Sequence, residues 1–217
     1  MPREFINLVD RAVRLRLGEF IAPVVRRSGG GLFELVVAVV LSQNTSDKNA
    51  FKAFENLKRR IGEVTPEALR NLSEEELAEL IRPAGMHRQR SRHLKALAEA
   101  FIAHGITPEK LVNMGLQEAR RLLLSLPGVG KKTADVVLVN LGLPAFPVDT
   151  HITRIASRWG IGRNYDEISR WFMERLPPER YLEFHLKLIQ FGREVCTARS
   201  PKCGRCPIGP RCPSHKG

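Results

Sequence analysis

The chain has 217 residues, 43% of them hydrophobic, and can bury a sizeable core without disulfides or other external staples. Its 35 Lys and Arg outnumber its 23 Asp and Glu by 12 charges, which points to a polyanion such as nucleic acid and away from an acidic protein or a neutral metabolite. No stretch is long and apolar enough to span a bilayer, and the first twenty residues mix charges with apolar side chains, so a cytoplasmic, membrane-free protein is expected.

Apolar residues recur at three- and four-residue steps and no segment alternates with period two, which predicts an all-α chain. Residues 4–22 read as one amphipathic helix, ended by Ser28-Gly29-Gly30-Gly31. Phe33 to Leu41 is apolar on nearly every face, as suits a helix at the centre of a bundle. Thr65-Pro66, Thr107-Pro108 and Ser73, with Glu76 three residues on as a capping box, mark helix starts. Further helices are predicted over 89–104, 116–125, 131–141, 150–159, 165–175 and 179–192. The tail from Thr197 is rich in Pro, Gly, Cys and basic residues without hydrophobic periodicity, so something other than a packed core must order it.

That something is written in the cysteines. Cys196, Cys203, Cys206 and Cys212 follow the spacing C-x6-C-x2-C-x5-C, which lets four thiolates converge on one centre. The chemistry of four thiolates accepts either a tetrahedral zinc or an iron-sulfur cluster, and disulfides are disfavoured in a cytosolic chain. Arg199, Lys202, Arg205 and Arg211 lie in or beside the spacers, so a metal-pinned loop would present cations suited to phosphate contacts.

Leu126-Pro127-Gly128-Val129-Gly130 falls between two predicted helices. Its glycines allow a tight turn and close backbone approach, and amides at a helix N-terminus can hold a phosphate oxygen; an ordinary helix–helix turn is the bland alternative. Lys132 lies in the first turn of the next helix, where the dipole disfavours the ammonium form, making it either a nucleophile or a surface cation. Asp149, in Pro147-Val148-Asp149-Thr150-His151, begins another helix and is either a complementary carboxylate or an N-cap.

From about residue 20 onward the sequence resembles the endonuclease III family. LPGVGKKTA at Leu126–Ala134 is similar to the family's hairpin and catalytic lysine, VDTH at Val148–His151 to its segment with the catalytic aspartate, and the cysteine spacing to its 4Fe-4S loop. The resemblance implies a two-domain helix-hairpin-helix glycosylase fold with a DNA-binding cleft: residues 29–142 as a six-helix domain, and 1–28 with 143–217 as the iron-sulfur cluster domain. It selects 4Fe-4S over zinc, with Cys196, Cys203, Cys206 and Cys212 as ligands, and Lys132 over Lys131 as the nucleophile, with Asp149 as its carboxylate. The implied activity is a bifunctional glycosylase and abasic-site lyase. It removes oxidised pyrimidines through a lysine Schiff base and acts as a monomer on double-stranded DNA with damaged bases or abasic sites. Gly128, Val129, Gly130, Lys131 and His151 are implied DNA contacts.

Two positions depart from the family's better-known bacterial form. In LSQNTSD at Leu41–Asp47, Asn44 stands where a glutamine filling the flipped base's space is expected, with Gln43 beside it. In Gly85-Met86-His87, Met86 replaces the usual apolar wedge such as leucine, a part methionine can also play. The rival readings are a monofunctional mismatch glycosylase acting on thymine, uracil or adenine, and a non-enzymatic DNA-binding module; Lys132 argues against both.

Overall fold

The computed structural model describes residues 2–215, and among these it contains helices, turns and irregular segments only. In chain order the helices are α1 (Pro2–Ala12), α2 (Ile21–Arg27), α3 (Leu32–Leu41), α4 (Asp47–Ile61), α5 (Pro66–Asn71), α6 (Glu74–Ile81), α7 (His87–His104), α8 (Pro108–Leu124), α9 (Lys131–Asn140), α10 (Thr150–Arg158), α11 (Tyr165–Met173) and α12 (Tyr181–Glu194). No described helix is long and apolar enough to cross a membrane. The chain divides into two compact units, Leu17–Leu141 and Met1–Arg16 with Gly142–Gly217. The boundary drawn at residue 29 from the sequence falls between α2 and α3. Helix α2 groups with the middle segment because Ala22 shares a buried cluster with Leu35, Val39 and Val136.

In the unit Leu17–Leu141 every residue of α3 is buried, and α2, α4, α7 and α9 pack around it. Phe33 of α3 meets Phe101 of α7 edge to face with centroids 4.9 Å apart, an arrangement worth about 1 kcal/mol beyond its area. The one carboxylate on α3, Glu34, is buried, and Lys58 of α4 reaches it at 2.6 Å. The caps form as their residue types require: Thr65, Ser73 and Thr107 accept from Ala68, Glu76 and Lys110 amides at 3.1, 3.0 and 3.1 Å. Only half of the box at Ser73 closes, since the Glu76 carboxylate turns to Arg60 at 2.6 Å. Helix α8 is broken at Gly115 (φ 73°, ψ 170°), which is why apolar periodicity reads as a helix starting at 116. Its second half is clamped to α9 by the Arg120 fork, which donates to both oxygens of buried Asp135 at 2.8 and 3.0 Å.

The other unit gathers α1 and α10–α12. The single helix expected over 4–22 does not form. Helix α1 ends at Ala12 because the Gln190 side chain of α12 takes over the backbone beyond it, accepting from Arg16 N at 3.0 Å and donating to Arg14 O at 2.8 Å. Phe5 packs on Trp159 at 5.5 Å, and Phe146 stacks on Phe172 at 4.6 Å. Asp10 is gripped by Arg180 and Lys187, each at 2.8 Å. Burial alone would raise the Asp10 pKa, but those two cations outweigh it and hold the carboxyl below its usual value. Helices α10 and α12 approach closely at Gly192, where a Cβ would stand 2.9 Å from Cβ of His151.

Candidate active site and cluster loop

The turn joining α8 to α9 is built on one glycine rather than two. Gly128 has φ 75°, a conformation that L side chains avoid, and a Cβ there would stand 3.4 Å from the His93 Cβ of α7. Gly130 is in extended backbone (φ −96°, ψ 178°) open to any residue, and serves as the N-cap of α9 with no atom within 4 Å of an added Cβ. Its contribution is therefore clearance before the helix N-terminus, where the partial positive charge favours an anion. Val129 is buried, and its amide donates to Leu126 O at 3.2 Å, so it holds the turn together. Lys131, exposed, and Lys132, half-buried, are the first two residues of α9, and Thr133 behind them is buried.

The two residues expected to enter a duplex share an unusual backbone. Asn44 (φ 51°) and Met86 (φ 50°) are the non-glycine residues with positive φ among the described residues, a conformation costing roughly 1–2 kcal/mol each. Both are exposed, Met86 by 57%. Gln43, by contrast, faces inward: its Nε2 donates to Gly128 O at 3.1 Å and Thr133 Oγ1 at 3.0 Å. His87, half-buried, opens α7 directly after Met86. Sequence reasoning missed Arg90. Its guanidinium is buried under the C-terminal end of α3, donating to Val40 O at 2.7 Å, Leu41 O at 2.9 Å and Gln43 O at 2.9 Å. Burial lowers its pKa from the ordinary arginine value.

Asp149 is the N-cap of α10: Oδ1 accepts from Ile152 N at 2.8 Å. Two residues on, His151 Nδ1 lies 3.1 Å from Arg154 Nη2, a contact in which the guanidinium can only donate. Burial pushes the His151 pKa below 6.5, Asp149 opposing and the Arg154 and Arg193 charges reinforcing it. The same face of α10 then reaches the cysteine loop. Arg154 donates to Cys196 O at 3.0 Å and Gly192 O at 2.9 Å. Arg158 donates to Thr197 O at 2.7 Å, Ala198 O at 3.0 Å and Cys196 Sγ at 3.2 Å. Arg154 and Arg158, at i and i+4, gave no signal in the sequence because their partners lie some 40 positions away.

None of the four cysteines is in a disulfide, and all four line one cavity with Arg158, Trp159, Phe191 and Val195. Four thiolates lining one cavity suit a polynuclear cluster, in which each thiolate binds its own iron. Arg158 adds an N–H···S bond and a positive charge beside the Cys196 sulfur. The donor set therefore fits an iron-sulfur cluster.

Residues 37–178 match the family model of the HhH-GPD superfamily base excision DNA repair protein. Residues 196–212, bounded by the first and last of the cysteines, match the iron-sulfur binding domain of endonuclease III. The chain belongs to the endonuclease III family. An endonuclease III of Sulfolobus acidocaldarius is 34% identical over 198 residues, 89% of this chain and 87% of that protein. A solved structure of a trapped endonuclease III–DNA covalent intermediate is 34% identical, covers 85% of this chain and 84% of its own, and superposes with a TM-score of 0.72. A thermostable thymine-DNA glycosylase shares the fold, with 22% identity, a TM-score of 0.76 and coverage of 97% and 93%. This endonuclease III family member is thus a DNA-binding glycosylase and lyase of base excision repair whose C-terminal loop holds a 4Fe-4S cluster.

Proposed function

We propose that Lys132 is the nucleophile and Asp149 its partner carboxylate, and that the substrates are oxidised pyrimidines and abasic sites in double-stranded DNA. The protein would act as a monomer in the cytoplasm. The observation that carries this reading is the placement of Lys132: half-buried in the first turn of α9, two residues beyond a hairpin whose Gly128 permits close backbone approach. C1′ of a nucleotide is shielded in a stacked duplex, so the nucleotide must first be turned out. Met86 serves as the apolar wedge, and Asn44 fills the space left behind. The hairpin glycines, Lys131, His87 and His151 are assigned to the DNA surface, Val129 contributing backbone only.

The Lys132 amine attacks C1′ as the glycosidic bond breaks, and the base leaves with the bonding pair. The nitrogen gives up one proton, the C1′–O4′ bond breaks and O4′ takes a proton, leaving a protonated Schiff base between Nζ and C1′. Loss of a C2′ proton expels the 3′ phosphate and cuts the strand on the 3′ side of the lesion. Asp149 spends Oδ1 on the α10 cap, which leaves Oδ2 to stabilise positive charge on the sugar and to assist proton transfer. When bound, the 4Fe-4S cluster supplies the iron–sulfur bonds that order the loop after α12.

Borohydride reduction on a duplex containing thymine glycol or an abasic site tests the assignment. A covalent adduct is expected from the wild type and from Lys131→Ala, and none from Lys132→Ala. A wild-type protein with its cluster intact that releases base but forms no adduct would move the reading to a monofunctional mismatch glycosylase.

A further inference from the structure

The two turns that carry Asn44 and Met86 are separate in sequence but meet at one side chain. Arg90 belongs to the Met86 turn through its own backbone, donating from N to Met86 O at 2.9 Å. Its guanidinium belongs to the Asn44 turn, holding Gln43 O at 2.9 Å and two further carbonyls at the end of α3. Val40 O also accepts from Gln43 N at 3.2 Å, and the planar fork supplies further donors at a helix end, where the last turn leaves carbonyls short of intrahelical partners. The chain of bonds continues outward through the Gln43 side chain. Its Nε2 spans to Gly128 O, in the hairpin, and to Thr133 Oγ1, the neighbour of Lys132. All these residues lie within the unit Leu17–Leu141.

We propose that Arg90 and Gln43 are positioning residues of the excision reaction. They lock the Asn44 turn, the Met86 turn and the hairpin into one frame, so that intrusion into the duplex and grip on its backbone occur in fixed register. This inference rests on the proposed entry of Asn44 and Met86 into DNA. Positive φ at both residues is disfavoured in isolation, and a buried fork with three carbonyl partners is the kind of restraint that sustains it. Gln43 is thereby removed from the residues that would face the bases: both hydrogens of its amide nitrogen have partners inside the protein.

The test compares single-turnover excision of a base-paired thymine glycol with adduct formation at an abasic site placed opposite a second abasic position, where there is no pair to open. Gln43→Leu, near in size but unable to donate, is expected to slow excision about tenfold, the equivalent of the lost buried hydrogen bonds. Adduct formation at the unpaired site should change by less than about twofold, because Lys132 is untouched. Arg90→Lys, which keeps the charge and loses the fork, should show the same selectivity beside a fall in melting temperature of about 2–8 °C. The cost of Met86→Ala should shrink in the Gln43→Leu background, since a wedge without its frame has less to lose. Equal losses on both substrates, strict additivity with Met86→Ala, or wild-type excision by Gln43→Leu would each overturn the inference. Should Met86→Ala and Asn44→Ala themselves leave excision unchanged, the DNA-entry reading falls and this inference with it; slow excision by those two beside normal Gln43→Leu removes the inference alone.

Discussion

Arg158→Gln isolates what protein, as distinct from iron, contributes to the cysteine loop. The wild-type guanidinium donates to Thr197 O at 2.7 Å, Ala198 O at 3.0 Å, Cys196 O at 3.3 Å and Cys196 Sγ at 3.2 Å. Cys196 O keeps its bond from Arg154 at 3.0 Å and is not orphaned by the change. The three remaining bonds are charge-assisted, but the loop is partly solvated, and water can replace the guanidinium at the two carbonyls. Of the roughly 1.5–3 kcal/mol that each such bond is worth when buried, a total of about 2 kcal/mol therefore survives. About 2 kcal/mol corresponds to a factor of roughly 30 in the equilibrium between an ordered and a disordered loop. With purified holoprotein in air and an iron chelator, the visible absorbance of the cluster should decay about 10–30-fold faster in Arg158→Gln than in wild type. Far-ultraviolet circular dichroism should stay unchanged, and Arg158→Lys, with its charge but no fork, should fall between. Equal decay rates for Arg158→Gln and wild type, starting from equal iron content, would refute the argument that this fork orders the loop.

Arg120→Leu deprives buried Asp135 of its two-point partner and should lower stability by about 3 kcal/mol, read as a fall in melting temperature; a change under about 1 kcal/mol would show that the clamp between α8 and α9 is solvated. Gly192→Ala sets a methyl 2.9 Å from the His151 Cβ and should cost about 1–3 kcal/mol as α12 is pushed from α10, with cluster loss accelerated at the same time. A neutral His151 is favoured by folding, since burial lowers its pKa from 6.5 and the unfolded chain binds the proton more readily. Its contribution is accordingly complete above pH 6.5 and lost as the pH falls from there through the lowered value, so His151→Asn should flatten that part of the stability profile in chemical denaturation. Persistence of the same acid slope in His151→Asn would assign the slope to carboxylates such as Asp10.

Much of the architecture was legible because its determinants are local. Helix α3, apolar at every position but Glu34, is wholly buried, and Thr65, Ser73 and Thr107 cap as their chemistry requires. The hairpin was legible in position but not in detail, since Gly130 looks identical to Gly128 in sequence yet only Gly128 needs positive φ. The helix expected over 4–22 failed for a nonlocal reason: amphipathic periodicity continues past Ala12, but Gln190 competes for the backbone of Arg14 and Arg16. The same cause hid the arginines. Arg90, Arg154 and Arg158 read as ordinary basic positions on helices, and their carbonyl partners are 38–50 positions distant. Gln43 adjoins Asn44 in sequence, yet its side-chain amide donates inward to Gly128 O, since successive residues in a tight turn can point in opposite directions.

Helix α1 is completed by residues made much later. Phe5 and Val9 are buried, yet the segment is tied to α12 across 174 positions of sequence, from Arg16 to Gln190. At 5–20 residues per second, a ribosome needs about 10–35 s to bridge that interval. Throughout it the unit Leu17–Leu141, continuous in sequence, can fold as it emerges, while the apolar face of α1 waits in the open. The nascent chain thus carries an unsheltered amphipathic helix ahead of a folded body, and that window is when a holding chaperone has most to offer this protein.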